Sequence, residues 1–130
     1  MLGAANPPDR SLDLPSNSVL LLVAPWCAPC WSELGRIDAL ASAAAPLTVR
    51  VLAMEDGARA RAMTADLPPG RQWLPAPDAR ARVRAGLWAM TPGLPFSVAT
   101  DRAGKICADH GGGLTDAQAR ILAKRCGAAQ

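Results

Sequence analysis

Aromatic residues are scarce in this chain of 130 residues, which contains four Trp, one Phe and no Tyr. Its hydrophobic core must therefore consist mainly of Leu, Val, Ala and Ile. Half of the residues are hydrophobic and 19% are charged, which is the composition of a globular protein rather than of a disordered one. Because this length suits one core and is too short for two ordinary domains, we expect a single domain.

Long apolar runs are also missing. The longest uninterrupted one, Val19 to Ala24, is far shorter than the roughly twenty residues that cross a bilayer. We therefore expect a mature domain that is soluble and does not span a membrane. Residues Met1 to Ala5 lack the basic start and long apolar centre of a signal peptide, so we expect any export signal or upstream anchor to have been removed or left out.

Positive charge is present but is not concentrated. The formal net charge is +3, and the Arg residues are scattered apart from a cluster at Arg80, Arg82 and Arg84. Because no basic stripe is interleaved with aromatic residues, the pattern does not indicate nucleic-acid binding. We interpret the Arg cluster as the solvated face of a helix.

Metal ligands and other catalytic groups are few. A structural zinc site needs four ligands, and the chain has one Cys-x-x-Cys pair and a single histidine, His110. We therefore expect no metal and no cofactor, and we place His110, which precedes three glycines, in a surface loop. The sequence contains no recognisable Ser-His-Asp, phosphate-loop or paired-carboxylate arrangement.

The informative feature is the run Trp26-Cys27-Ala28-Pro29-Cys30, which follows the apolar stretch Val19 to Val23. The two thiols then lie where a buried strand ends and a helix begins. A helix that begins at Cys27 directs free N–H groups and its positive end at that sulfur, so Cys27 is predicted to be the acidic, attacking thiol. Pro29 suits the first turn because it has no N–H to leave unpaired. This spacing predicts a redox dithiol.

Hydrophobic periodicity and turn residues predict an α/β fold with a mixed sheet. The expected strands are Val19 to Ala24, Leu47 to Ala53, a brief one at 72–74, Phe96 to Thr100, and Lys105 to Asp109. The expected helices are Ser32 to Ala45, Gly57 to Asp66, Ala79 to Ala85 with Asp78 as N-cap and Gly86 at its end, and one from Thr115 to about Cys126, where Gln118 completes a capping box. Residues 1–17 are expected to form an irregular lead-in, and 18–127 the single domain.

Three separated features together resemble the thioredoxin superfamily: the dithiol after a strand, Gly93-Leu94-Pro95 before a strand, and a hairpin followed by a helix at the end. The segments 77–86, 93–96 and 101–106 are most similar to the TlpA/ResA-like branch of bacterial envelope thiol-disulfide oxidoreductases. The resemblance implies a thioredoxin-like fold, in which a central mixed β-sheet is flanked by helices and followed by a C-terminal β-hairpin plus helix. It also implies an additional strand-helix element within residues 57–90.

The resemblance implies roles for individual residues. Cys27 is expected to be the nucleophile and Cys30 the resolving thiol, and Pro95, rather than Pro92, is expected to be the cis-proline. The backbone of Leu94 would then face an extended substrate. Residues expected to support the site or to line an apolar landing surface are Trp26, Ala28, Pro29, Leu94, Phe96 and Trp31, the last of which is equally suited to the core.

Three positions depart from the family pattern. Leu21 occupies the place of a buried aspartate in thioredoxin, and Ala28 that of a glutamate common within the motif of the TlpA/ResA-like branch. Trp31 replaces the usual base after the second cysteine. Proton transfer to Cys30 is therefore expected to depend on water or on a more distant group such as Glu33 or Glu55.

The remaining cysteines, Cys107 and Cys126, either form a structural disulfide or remain as two buried thiols. We expect a thiol-disulfide oxidoreductase that favours the reductase direction, with disulfide-containing or dithiol-containing protein substrates and an upstream thiol-disulfide electron donor as its partners. The expected location is the bacterial periplasm or cell envelope, with the cytoplasm as the alternative. The alternative functions are a non-catalytic peptide-binding module of the same fold and, less favoured, a metal-binding Cys-x-x-Cys protein.

Overall fold

The computed structural model describes residues 12–127. In chain order its strands are β1 (Ser18–Val23), β2 (Thr48–Ala53), β3 (Phe96–Thr100) and β4 (Ile106–Gly111), and its helices are α1 (Ala28–Leu34), α2 (Ile37–Ala44), α3 (Ala58–Thr64), α4 (Arg80–Met90) and α5 (Asp116–Gly127). Residues 12–17 contain no helix or strand, and the rest of the predicted lead-in lies outside the described residues. The division into 1–17 and 18–127 stays a prediction.

The four strands form one mixed sheet in the order β2-β1-β3-β4. Strand β1 pairs in parallel with β2 and antiparallel with β3, and β3 and β4 form the antiparallel hairpin. All six residues of β1 are buried, as expected for a central strand that reads as a continuous apolar run. The predicted α/β class with a mixed sheet and a C-terminal hairpin plus helix is confirmed.

The alternation of side chains along β1 divides the core into two layers. Val19, Leu21 and Val23 belong to the layer that also contains residues of α1, α2 and α5. Leu20 and Leu22 belong to the other, which contains residues of α4. The first layer also contains all four cysteines, with Cys107 partly buried at its margin.

The predicted helix from Ser32 to Ala45 is wrong in its continuity, because the structure has two helices separated at Gly35 and Arg36. Tertiary contacts account for the break. Arg36 lies at the junction, and its Nη1 donates to the carbonyl oxygen of Leu114 at 2.8 Å. Periodicity within one segment cannot reveal a partner that is so distant in the sequence.

The prediction for α4 is wrong at both ends. Asp78 does not cap the helix, which begins at Arg80, and the helix continues through Gly86 to Met90. Gly86 allows close packing instead of ending the helix: a Cβ at this position would collide with a side-chain methyl of Leu12. The expected brief strand at 72–74 is reduced to an isolated bridge between Gln72 and Val51.

The C-terminal part follows the sequence pattern closely. β3 has the predicted bounds, and Asp101 Oδ1 closes the hairpin turn by accepting from the backbone N–H groups of Ala103 at 2.8 Å and Lys105 at 3.1 Å. Thr115 Oγ1 accepts from the N–H of Gln118 at 3.1 Å, as a helix cap should. However, β4 extends to Gly111, so His110 is a half-buried strand residue and not a loop residue.

Candidate active site

Cys27 and Cys30 are joined by a disulfide, with a Cα–Cα distance of 5.3 Å, where the chain passes from β1 into α1. Cys27 is the N-cap of α1, and its Sγ accepts a hydrogen bond from the N–H of Cys30 at 3.2 Å. Cys27 is 4% exposed and Cys30 is fully buried. A backbone donor at Cys27 Sγ stabilises negative charge on that sulfur, which is what an attacking thiol requires.

The middle of the motif faces solvent. Ala28 and Pro29 are both exposed, and Pro29 lies in the first turn of α1, where its missing N–H costs no helix hydrogen bond. Neither side chain carries charge. The reacting sulfurs are thus approached across a small, neutral surface.

Two exposed tryptophans flank the dithiol. Trp26 is 60% exposed, and its Nε1 donates to Glu55 Oε1 at 2.8 Å. Trp31 is 48% exposed and donates from Nε1 to the carbonyl oxygen of Pro25 at 3.0 Å, so it is a surface residue and not part of the core. Both rings therefore remain available to a partner.

The peptide bond between Leu94 and Pro95 is cis, and Pro92 has no such bond. Pro95 is buried, and its carbonyl oxygen accepts from the N–H of Gly112 at 3.0 Å. Leu94 is half-buried and packs against both core layers. Phe96, expected to line the landing surface, is 4% exposed and lies in the second layer, so its side chain offers little surface to a partner.

Glu33 is a fully buried carboxylate on α1, three residues after Cys30. Its Oε2 accepts from the N–H of Leu114 at 2.7 Å, and Arg36 holds the carbonyl of the same residue. Burial raises the pKa of Glu33 to about 7, against the opposing effects of the Leu114 hydrogen bond and the charge of Arg36. Leu21, by contrast, is fully buried, so the position of thioredoxin's acid is apolar here.

Arg84 is the functional candidate that the sequence analysis missed, because the Arg cluster was interpreted as a solvated face. Arg84 is 8% exposed, and its guanidinium bonds segment 53–56, which consists of the last residue of β2 and the three that follow. The direct hydrogen bond and the positive charge of Arg84 lower the pKa of Asp56. The available signal was the position of Arg84 beside the apolar Val83 on a helix.

A second disulfide joins Cys107 in β4 to Cys126 near the end of α5, with a Cα–Cα distance of 5.7 Å. This resolves the two states that the sequence left open.

Within residues 12–127, no group of three or more His, Cys, Asp and Glu side chains is arranged to hold a metal ion. In that same range, no helix is long and apolar enough to cross a membrane.

Neither a family model nor a curated protein matches the sequence of this chain. Solved structures with a similar fold include the three described next. DsbF of MTB shares 22% identity over 90% of this chain and 83% of its own, with a TM-score of 0.61. A Thermus thermophilus thio-disulfide isomerase shares 21% over 88% and 84%, with a TM-score of 0.62.

The third similar structure is a thioredoxin-related protein from Neisseria meningitidis serogroup B, which shares 16% identity over 89% of each chain, with a TM-score of 0.54. At such identities the likeness concerns the backbone. The predicted thioredoxin-like fold is thus confirmed.

Proposed function

We propose that this protein is a thiol-disulfide oxidoreductase that exchanges its Cys27–Cys30 pair with cysteines of protein partners, mainly as a reductase. The observation that carries the proposal is the hydrogen bond from the N–H of Cys30 to Cys27 Sγ at the start of α1. It stabilises a thiolate on the less buried of the two sulfurs. The names of the T. thermophilus thio-disulfide isomerase and the N. meningitidis thioredoxin-related protein agree with this chemistry.

The reaction begins from the reduced dithiol. The Cys27 thiolate attacks one sulfur of the partner's disulfide, the partner's S–S bond breaks, and a mixed disulfide forms while one partner thiolate leaves. The Cys30 thiol then loses its proton and attacks Cys27 Sγ, which releases the second partner thiolate and forms the Cys27–Cys30 disulfide. Two electrons pass to the partner, and an upstream dithiol donor restores the reduced state.

Glu33 is the better of the two candidate acceptors for the proton of Cys30. Residues three apart on a helix lie on the same face, so Glu33 follows Cys30 along α1. A carboxylate with a pKa of about 7 can both accept and return a proton near neutral pH. Glu55 is exposed and already accepts the hydrogen bond from Trp26.

The partner segment is proposed to lie between Trp26 and the Leu94–Pro95 loop. The exposed indole and Ala28 supply apolar surface beside Cys27, and the backbone of Leu94 supplies polar groups for an extended chain. The uncharged Ala28-Pro29 pair gives the thiolate no further positive charge, which supports the reductase direction. A disulfide outside the exchanging pair, Cys107–Cys126, is typical of an oxidising compartment, which supports the cell envelope.

The test is reduction of insulin disulfides with dithiothreitol as electron donor, using wild type, Cys27→Ser and Cys30→Ser. We expect activity in the wild type and none above background in Cys27→Ser, and a Cys27→Ser variant with full activity would overturn the assignment. A wild type that binds insulin without turnover would favour the binding module instead. A dithiol potential near −120 mV would contradict the reductase direction. Cys30→Ser should trap partners as mixed disulfides on Cys27.

A further inference from the structure

Arg84 connects helix α4 to the segment 53–56, which links β2 to α3. Its Nε donates to the carbonyl oxygen of Ala53 at 3.0 Å, its Nη2 to that of Glu55 at 3.3 Å, and its Nη1 to Asp56 Oδ1 at 2.8 Å. A buried guanidinium is costly unless its donors are satisfied, and here each of its three nitrogens has an acceptor in this segment. The segment is therefore fixed at three points by one side chain.

The same segment holds Trp26. Oε1 of Glu55 accepts from Trp26 Nε1 at 2.8 Å, although both residues are exposed. Because Trp26 is 60% exposed and has little packing to fix its orientation, this hydrogen bond restricts the rotamers of its indole. The backbone N–H of Met54 also donates to the carbonyl of Val23 at 2.8 Å, which ties the segment to the end of β1 just before the dithiol.

These contacts form one continuous path from Arg84 through Glu55 to Trp26, the residue that precedes Cys27. We propose that Arg84 is a positioning residue that fixes segment 53–56 so that Glu55 holds the Trp26 indole in place for an incoming protein partner. The inference rests on the proposed function in one respect, namely that Trp26 borders the exchanging disulfide. The inference adds that α4, which contributes no atom to the dithiol, influences how protein partners bind beside it.

The proposal separates partner binding from sulfur chemistry. Cys27 and Cys30 are held by their own hydrogen bond at the start of α1, and the guanidinium of Arg84 bonds neither cysteine. Loss of Arg84 should therefore weaken recognition of a protein partner and leave the reaction with a small disulfide nearly unchanged. A residue that only stabilised the fold would instead lower the amount of folded protein and affect both substrates equally.

The first measurement needs no catalysis. In oxidised, 15N-labelled protein, the indole N–H signal of Trp26 is assigned from its loss in Trp26→Phe. We expect Arg84→Met to move this signal toward its position in Glu55→Ala. The matched control, Arg82→Met, removes an arginine from the same helix whose side chain is 47% exposed, and it should leave the signal in place. An unmoved signal in folded Arg84→Met overturns the proposal.

The second measurement compares substrates. With insulin, Arg84→Met should raise KM about threefold to tenfold, the size expected for losing one hydrogen-bonded contact, with kcat within twofold. With oxidised glutathione, the rate should stay within twofold. In a Glu55→Ala background, Arg84→Met should add nothing, because both residues act through the same indole. Additive effects would overturn the proposal.

Two outcomes need a separate interpretation: an Arg84→Met variant that does not fold and a wild type without exchange activity. Should Arg84→Met not fold, Arg84→Lys keeps the buried charge but can satisfy fewer of the acceptors, and it should move the Trp26 signal in the same direction. An unmoved signal in Arg84→Lys overturns the proposal. A wild type without exchange activity would refute the proposed function, whereas the indole measurement would still show whether Arg84 positions Trp26.

Discussion

The two disulfides of this protein differ less in exposure than in the polar groups around them. Cys27 is 4% exposed and Cys30 fully buried, while Cys107 is half-buried and Cys126 fully buried. Yet Cys27 Sγ accepts from a backbone N–H at 3.2 Å, whereas Cys107 Sγ lies 3.4 Å from the carbonyl oxygen of Ala99. A thiolate is stabilised by the first arrangement and repelled by the second. Under the proposed function, backbone polarity, more than accessibility, therefore separates the pair proposed to exchange from the other disulfide.

The largest expected difference is in thiol reactivity. In the fully reduced, folded protein at pH 7, Cys27 should react with iodoacetamide about a thousandfold faster than Cys107, because the attacking species is the thiolate. Peptide mass spectrometry after timed quenching measures both rates in one sample. Guanidinium-unfolded protein is the control, in which the two rates should converge. Comparable rates in the folded state would show that the backbone groups around the two disulfides do not determine thiol reactivity.

The second expected difference is in stability. The Cys107–Cys126 bridge spans a sequence separation of 19 and the Cys27–Cys30 bridge a separation of 3. By loop-closure entropy, Cys107→Ala/Cys126→Ala should lower the free energy of unfolding by about 3 kcal/mol, and Cys27→Ala/Cys30→Ala by about 2 kcal/mol. Urea unfolding measures both.

In activity the order of the two double variants should be reversed, with the larger loss in the variant that lacks Cys27 and Cys30. The variant without Cys107 and Cys126 should still reduce insulin, and the variant without Cys27 and Cys30 should not. Loss of exchange in the former, measured on protein shown to be folded, would mean that the second disulfide takes part in the chemistry.

The third difference is a buried acid, Glu33, which lies on α1 three residues after Cys30. Its pKa is raised from 4.5 to about 7, so the folded state keeps a proton that the unfolded chain has lost. Protonation of Glu33 therefore adds about 3 kcal/mol at most to the free energy of unfolding. This stabilisation is complete below pH 4.5 and is lost as the pH rises through 7. Urea unfolding from pH 4.5 to 8 should show the decline.

Glu33→Gln should flatten that decline and slow the release of partner from the mixed disulfide about a hundredfold, because the amide cannot accept the proton of Cys30. Glu55→Gln is the matched control, since Glu55 is exposed, and it should retain the wild-type pH dependence. A Glu33→Gln variant that resolves the mixed disulfide at the wild-type rate would exclude Glu33 as the acceptor.

The smallest expected effect concerns the helix that carries Cys126. Thr115→Ala removes the side-chain acceptor for the N–H of Gln118 and should lower the free energy of unfolding by about 1 kcal/mol without changing insulin reduction. Gln118→Ala keeps its own N–H and should cost less. Equal costs would show that the reciprocal half of the capping box contributes as much as the Thr115 cap.

The parts of the fold with strong local signals could be predicted from the sequence. The buried apolar run of β1, the dithiol that follows it, the Asp101 turn and the Thr115 cap all depend on residues close in sequence. The Leu94–Pro95 loop was located from the family resemblance instead.

What escaped prediction depends on contacts between distant segments. Gly86 lies inside α4, where Leu12 leaves no room for a Cβ, and the break after α1 involves a bond from Arg36 to Leu114. The roles of Arg84 and Glu55 follow from which residues face them across the fold. Composition and periodicity do not encode those partners, so an arginine in an Arg-rich helix was interpreted as solvated.

The hydrogen bonds of Glu33 and Arg36 to Leu114 depend on the order in which the chain is synthesised. Glu33 and Arg36 hold the N–H and the carbonyl of one residue that lies 81 positions after Glu33 and 78 after Arg36. A nascent chain that ends before residue 114 already contains Cys27 and Cys30 but has nothing to bind this acid. Both thiols thus leave the ribosome before the contacts of Glu33 and Arg36 with Leu114 can form.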